Sequence, residues 1–166
     1  MYGYKFLYVI SKNKWKSALN RPTYLALVKL EIPDDAKVIY PFNHTRLVYY
    51  NDRTTKSIKH RCSKAKIVDV VKYYYSMDNE YTYHEVNNIN VNIKNLIFIS
   101  QYNEDFIYKF DEYVEPDELD EDLTEVCSNG IHFCDSPEDA ITYMKCFAVT
   151  SINETTSLDY RKLEKI

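Results

Sequence analysis

Four side chains able to do chemistry fall close together near the end of the chain: Cys127, His132, Cys134 and Tyr143. His132 and Cys134 are two residues apart, so on a strand they share a face. An imidazole that titrates near about pH 6.5 beside a thiol is the pairing of a cysteine nucleophile. Cys134 also stands just ahead of a helical pattern, whose positive end is expected to lower the thiol pKa. Against a nucleophile, neighbours on one strand rarely reach in-line hydrogen-bonding geometry. Zinc is the second chemistry to weigh. Cys127, His132 and Cys134, with Cys62 or His60, would offer thiolate and imidazole ligands. Six residues separate Cys127 from Cys134, and Cys127 precedes a turn, so the spacing argues against a metal. A histidine on a half-buried strand is more often a hydrogen-bonded structural residue, and such cysteines are more often small apolar fillers. No catalytic residue and no metal ligand is assigned. His132, Tyr143 and Cys134 remain as candidate ligand-binding residues.

The elements that must position them are legible. Asn129-Gly130 is a turn dipeptide, and Gly130 is one of only two glycines. Ile131–Cys134 reads as a short strand. Ser136 caps a helix that has Pro137 at its first position and Glu138 and Asp139 near its positive end. Ala140, Tyr143, Met144 and Phe147 fall at i, i+3, i+4, i+7, a single apolar face to pack on a sheet.

Upstream, Tyr4–Ile10, Tyr24–Ile32, Lys37–Tyr40, Arg46–Tyr50 and Lys64–Tyr75 read as strands. Ser11–Asn20 reads as a short helix or a basic loop, and 51–63 as a polar loop. Ser76–Tyr83 reads as loop. Val86–Ile99 alternates Ile89, Val91 and Ile93 with asparagines and reads as a strand, with a helix through Ile93–Ile99 as the other option. Phe106–Val114 is a strand and Glu115–Glu125 a solvated acidic loop. Ala148–Ile152 reads as a last strand. The fold class is therefore α+β: a single compact domain over 1–152, mainly antiparallel strands with one or two short helices. Residues 153–166 read as a C-terminal tail or short helix.

Composition narrows the function. The chain of 166 residues is 45 % hydrophobic and can bury a core without staples. Seventeen tyrosines reflect coding bias and name no mechanism. There is no run of about 18 apolar residues, so no membrane span is expected. The N-terminus lacks a signal-peptide pattern, and the four cysteines read as reduced thiols of a cytoplasmic protein. Residues 1–75 hold fifteen Lys and Arg against five Asp and Glu, whereas 76–166 hold six against twenty. Such a split is one footprint of a nucleic-acid binder, with Lys12, Lys14, Trp15, Lys16 and Arg21 as the contacts. The simpler expectation is that the halves lie against each other and partly neutralise. Two glycines almost exclude glycine-dependent phosphate loops.

Three segments carry a wider resemblance: LVKLEIPDDAKVI (27–39), RCSKAKIVDV (61–70) and FIYKFDEYVEPD with CSNGIHFCDSPEDAITY (106–143). In this order they resemble a family of uncharacterised proteins of giant DNA viruses and some protists, which has a Cys-x-x-Gly-Ile-His-Phe motif. Here Cys62 follows the arginine instead of preceding it, and Phe110 stands where glycine is usual. The resemblance implies an accessory protein, in the host cytoplasm or the virion, but no reaction. Locally, Gly130-Ile131-His132-Phe133 with Ala140 and Tyr143 is similar to the Gly-Ile-Tyr-Phe segment of ADP-ribosyltransferases of the poly(ADP-ribose) polymerase type. That resemblance implies His132 and Tyr143 as the two rings around the nicotinamide of NAD, and Ala140 at the hydroxyl position. Ala140 has no hydroxyl, Tyr4-Lys5-Phe6 replaces the ribose-binding His-Gly pair, and only Glu154 and Glu164 remain downstream. The expectation is a non-enzymatic protein-interaction module without a cofactor. An ADP-ribosyltransferase-like enzyme or degenerate NAD-binding relative is the alternative, and nucleic-acid binding through the basic half a second one.

Overall fold

The computed structural model describes residues 1–14, 24–41, 58–77, 82–147 and 151–166. The expected strand at Arg46–Tyr50, the residues Trp15, Lys16 and Arg21, and the side chain of Phe147 fall outside what is described. Among the described residues ten strands form one sheet, with one α-helix packed on a face of it. They are β1 (Tyr2–Ser11), β2 (Tyr24–Glu31), β3 (Val38–Ile39), β4 (Lys59–Cys62), β5 (Lys66–Tyr75), β6 (Thr82–Asn87), β7 (Leu96–Ile99), β8 (Ile107–Lys109), β9 (Ile131–Cys134) and β10 (Ser151–Asp159). The helix α1 spans Pro137–Phe147. The main path runs β10-β6-β5-β2-β1-β9-β4-β3, and β7 joins β1 and carries β8. Every pairing is antiparallel except β10 on β6.

Alternation places the core on both faces of the sheet. Leu7, Val9, Ala26, Val28, Ile67, Phe98, Ile131 and Phe133 pack on one side. Phe6, Leu25, Leu27, Tyr74, Cys134, Ala140 and Met144 pack on the other, beneath α1. The uninterrupted apolar run of β2 follows from burial on both faces, where each large side chain contributes about 1.5–3 kcal/mol. The helix starts where its capping residues demand. Ser136 Oγ accepts from the Asp139 N–H at 3.0 Å, and Ala140 and Met144 turn inward as the periodicity requires.

Three expectations need correction. Lys59–Cys62, read as loop, is strand β4, paired with both β3 and β9. Its four residues are all buried although three are basic, so no apolar pattern marks it. Residues 153–159, read as a tail or short helix, continue β10 along β6 and end in a turn of 3-10 helix at Tyr160–Lys162. Strand pairing supplies the order that the polar side chains do not advertise. The alternation through Val86–Ile99 is broken at Asn88, which takes φ 55, a left-handed turn that asparagine tolerates. Asn92 then caps a 3-10 turn at Ile93–Asn95 before β7 begins.

The acidic and basic halves do meet. Lys37 pairs with Glu121 at 2.6 Å, Lys66 with Asp111 at 3.1 Å and Lys72 with Glu85 at 3.6 Å.

One close approach holds β1 to the core. A Cβ at Gly3 would lie 2.5 Å from Cδ2 and 2.8 Å from Cγ of the buried Phe133 ring. Gly3→Ala is expected to destabilise the fold by about 1–3 kcal/mol, an overpacking cost. A urea midpoint equal to that of the parent would show that the ring yields freely.

Candidate functional site

The site grows from an interruption in the pairing of β1. On one edge β1 pairs with β2 without a break from Tyr2 to Val9. On the other edge it pairs with β9 only at Tyr4↔Cys134, and with β7 from Tyr8 to Ser11. The strands β7 and β9 therefore fork, and among the described residues Lys5–Leu7 have no paired strand on that edge. Met1 and Ile32 exchange main-chain bonds, while the Lys12 N–H reaches Asn95 O. By alternation the odd residues of β1 bond to β2 and the even ones face the fork. Phe6 is thus the residue whose N–H and C=O point into the fork, where it has no paired residue among the described strands.

A cleft opens there. Tyr4–Phe6, Lys59, Gln101, Tyr102, His132–Cys134 and the inward face of α1 at Ala140, Tyr143 and Met144 line its inner part. Its mouth, about 750 Å³, is bounded by Asp117, Glu118 and Cys127–Gly130. The structure thus brings His132, Cys134 and Tyr143, with Ala140, to one cavity. It adds two lysines that sequence reading missed. Lys5 lies in an aromatic strand on the core-facing parity of Leu7 and Val9, and that misplaced charge was the available signal. Lys59 lies on the patternless β4 and carried none.

The electrostatics divide these groups. Lys5 Nζ donates to Tyr108 Oη at 3.3 Å. Desolvation lowers its pKa to about 8, and the nearby Lys59 charge adds to the lowering. Lys59 Nζ donates to Tyr143 Oη at 2.9 Å and to Cys127 Sγ at 3.1 Å. It also stands 4.8 Å from the Tyr143 ring centre, a cation–π contact. His132 Nε2–H donates to Ser128 O, which leaves Nδ1 as a buried acceptor with no hydrogen-bond partner among the described residues. Burial, followed by the Lys59 charge, pulls the His132 pKa down to about 3, so the imidazole is neutral. Cys134 corrects the expected acidic thiol. Burial, followed by the Asp139 carboxylate, pushes it up to about 12, and these outweigh the helix end. A protonated, buried thiol beside a neutral imidazole is not a nucleophile pair. Among the described residues no three His, Cys, Asp or Glu side chains are grouped to hold an ion.

The mouth is fixed from behind by Arg61, whose residue is 0 % exposed. Its Nε donates to Asp120 O at 2.6 Å, Nη2 to Asp122 O at 2.6 Å and Nη1 to Glu125 O. The acidic loop is exposed in its side chains, as expected, yet its main chain is tied down. Gly130, at φ 140, passes beside Arg61, and a Cβ there would lie 3.1 Å from Arg61 Cβ.

One protein-family model matches residues 3–140, from β1 into the first turn of α1. The chain belongs to that family, a family of unknown function (DUF5758). No curated protein and no solved structure matches the chain. The DUF5758 match takes in Lys5, Lys59, Arg61, Cys127, His132 and Cys134, and stops short of Tyr143.

The His132 environment has a pH consequence. The unfolded imidazole binds a proton near about 6.5, and the folded one only near about 3. The unfolded state thus holds more protons between these values. The stabilisation is complete above pH 6.5 and is lost as pH falls toward 3, at up to about 1.4 kcal/mol per unit. His132→Asn is expected to flatten the unfolding free energy between about pH 6.5 and 4.5. Parallel slopes in variant and parent would mean that the imidazole is solvated.

Proposed function

We propose that this DUF5758 chain is a non-enzymatic protein-interaction module, and that the fork on β1 takes a short segment of its partner bearing a carboxylate. The observation that carries this reading is the coincidence at Phe6. By strand alternation the Phe6 main-chain N–H and C=O point toward a cavity that also contains the amino groups of Lys5 and Lys59, and Phe6 pairs with no strand there among the described residues. A peptide laid into the fork would exchange main-chain bonds with Phe6, as in strand addition, and its carboxylate would meet the two lysines. The tyrosines of the cleft supply apolar contact with polar tips. The resemblance to viral and protist proteins favours an accessory role for such a module, acting in the host cytoplasm or the virion.

Holding Lys5 in this place costs stability, and the cost yields the test. Lys5→Met is expected to raise unfolding stability by about 1–3 kcal/mol, because an apolar isostere replaces a desolvated charge. The same variant should lose at least tenfold in affinity for peptides with a free C-terminal carboxylate. Fluorescence polarisation with a short peptide library, in free-acid and amidated forms, reads this directly. Equal binding of the two forms, or parental affinity in Lys5→Met, would remove the proposal.

The second reading, a degenerate NAD-binding relative, is favoured by His132, Ala140 and Tyr143 lining one cavity. The inner part of that cavity has no carboxylate among its described lining residues. Preorganised charge for an oxocarbenium-like sugar is therefore lacking there, and one missing partner of this kind costs roughly 100- to 1000-fold in rate. Incubation with labelled NAD is expected to transfer no label to the protein, to host extract or to nucleic-acid ends. A labelled product that disappears in His132→Ala or Tyr143→Ala would put the enzyme in place of the interaction module. Nucleic-acid binding through the basic half has less support, because Trp15, Lys16 and Arg21 lie outside the described residues and several lysines are matched by carboxylates.

A further inference from the structure

We propose that Lys59 and Cys127 form a peroxide-driven covalent cross-link at the mouth of the cleft. The two residues are 68 positions apart in sequence, yet Lys59 Nζ lies 3.1 Å from Cys127 Sγ. Tyr143 Oη, at 2.9 Å, holds the same nitrogen in place. Cys127 is an exposed residue at the mouth of the cleft, on the side open to a small oxidant. The buried thiols do not compete. Burial pushes Cys62 up to about 11 and Cys134 up to about 12, which keeps both protonated and inert.

The chemistry closes with hydrogen peroxide as the oxidant. The Cys127 sulfur attacks one peroxide oxygen, an S–O bond forms, the O–O bond breaks and water leaves. Sulfur has then lost two electrons and is a sulfenic acid, the first rung of thiol oxidation. Lys59 releases one ammonium proton to solvent, and the resulting amine attacks that sulfur. An N–S bond forms, the S–O bond breaks, and the hydroxyl leaves as water with a proton from Nζ. The sum is one thiol, one amine and one peroxide giving a sulfenamide and two waters. Nitrogen and sulfur are already in contact, so the loop bearing Cys127 need not open for the second step.

Two consequences follow. The bond would tie β4 to the lip of the cleft, and the positive charge of Lys59 would be lost. The second consequence rests on the carboxylate-binding reading, whereas the bond itself does not.

The test treats the whole native chain with hydrogen peroxide and follows intact mass and peptide maps. The expected product is lighter by two hydrogen atoms, has the peptide of Lys59 joined to that of Cys127, and reverts with dithiothreitol. Cys127→Ser, a conservative change at an exposed position, should give none of it. Oxidation of Cys127 to sulfinic acid without a joined peptide would overturn the proposal, as would a disulfide from Cys127 to another cysteine. Free-acid peptide binding is measured on the same samples. A cross-link that leaves such binding unchanged would sink the carboxylate reading alone. Carboxylate-dependent binding with no cross-link would sink the cross-link alone.

Discussion

A fully buried guanidinium sets the shape of the functional face. Arg61 stands on a four-residue strand inside the sheet, and its desolvation is offset by three main-chain carbonyls, those of Asp120, Asp122 and Glu125. Leaving such a charge unpaired would cost several kcal/mol, so a loop that carries its carbonyls to one point is required for β4 to lie where it does. The three carbonyls are reached from three different nitrogens of one planar guanidinium, whereas a lysine would offer its three donors from a single atom. Because the acceptors are peptide groups, the hold does not depend on the charge state of the acidic side chains around it.

That hold is passed on to the cleft. The Asp120 N–H bonds to Asn129 O at 2.9 Å, and Ser128 Oγ donates to the Asp120 carboxylate. Ser128 O then accepts from His132 Nε2 and so selects the neutral tautomer. The buried arginine, the acidic loop and the imidazole are one connected chain of hydrogen bonds. The fork in the sheet lies at its end. The strand β9 meets β1 at one pair and diverges, held on its far side by β4 along Ile131–Cys134. Near its C-terminal end β1 is taken up by β7 instead. The opening at Lys5–Leu7 is the geometric remainder of two strands competing for one edge.

What could be read from the sequence follows the strength of local pattern. The β1, β2 and β5 strands announce themselves by β-branched and aromatic residues. The unit from Asn129 through α1 does so by turn, cap and apolar period, and Ser136 caps as its position implies. His132, Cys134 and Tyr143 were found because they sit on that unit. The strand β4 could not be found, since Lys59, His60 and Arg61 are buried by virtue of distant partners and not by their own hydropathy. The end of β10 escaped for a similar reason: Asn153–Ser157 is polar, and its order comes from β6. The chemistry of Cys134 was misread because the helix end was weighed without the burial, and burial dominates there.

Three residues of the cleft, two of them missed in the sequence, violate local rules. Lys5 puts a charge on a core-facing position, Lys59 buries an amine between a thiol and a phenol, and His132 keeps an acceptor without a partner. Each is unfavourable for folding alone, and a purely structural sheet edge would be filled more stably by aliphatic side chains. Chance violations would be scattered. These converge on one cavity, beside the stretch of β1 between its pairings with β9 and β7. Their convergence has a chemical sense as well. Two amines, main-chain groups able to give and receive a hydrogen bond, and a neutral imidazole suit an anionic segment with peptide character. They do not suit a metal ion, because the ammonium groups at the centre of the cleft repel cations and the Cys134 thiol stays protonated.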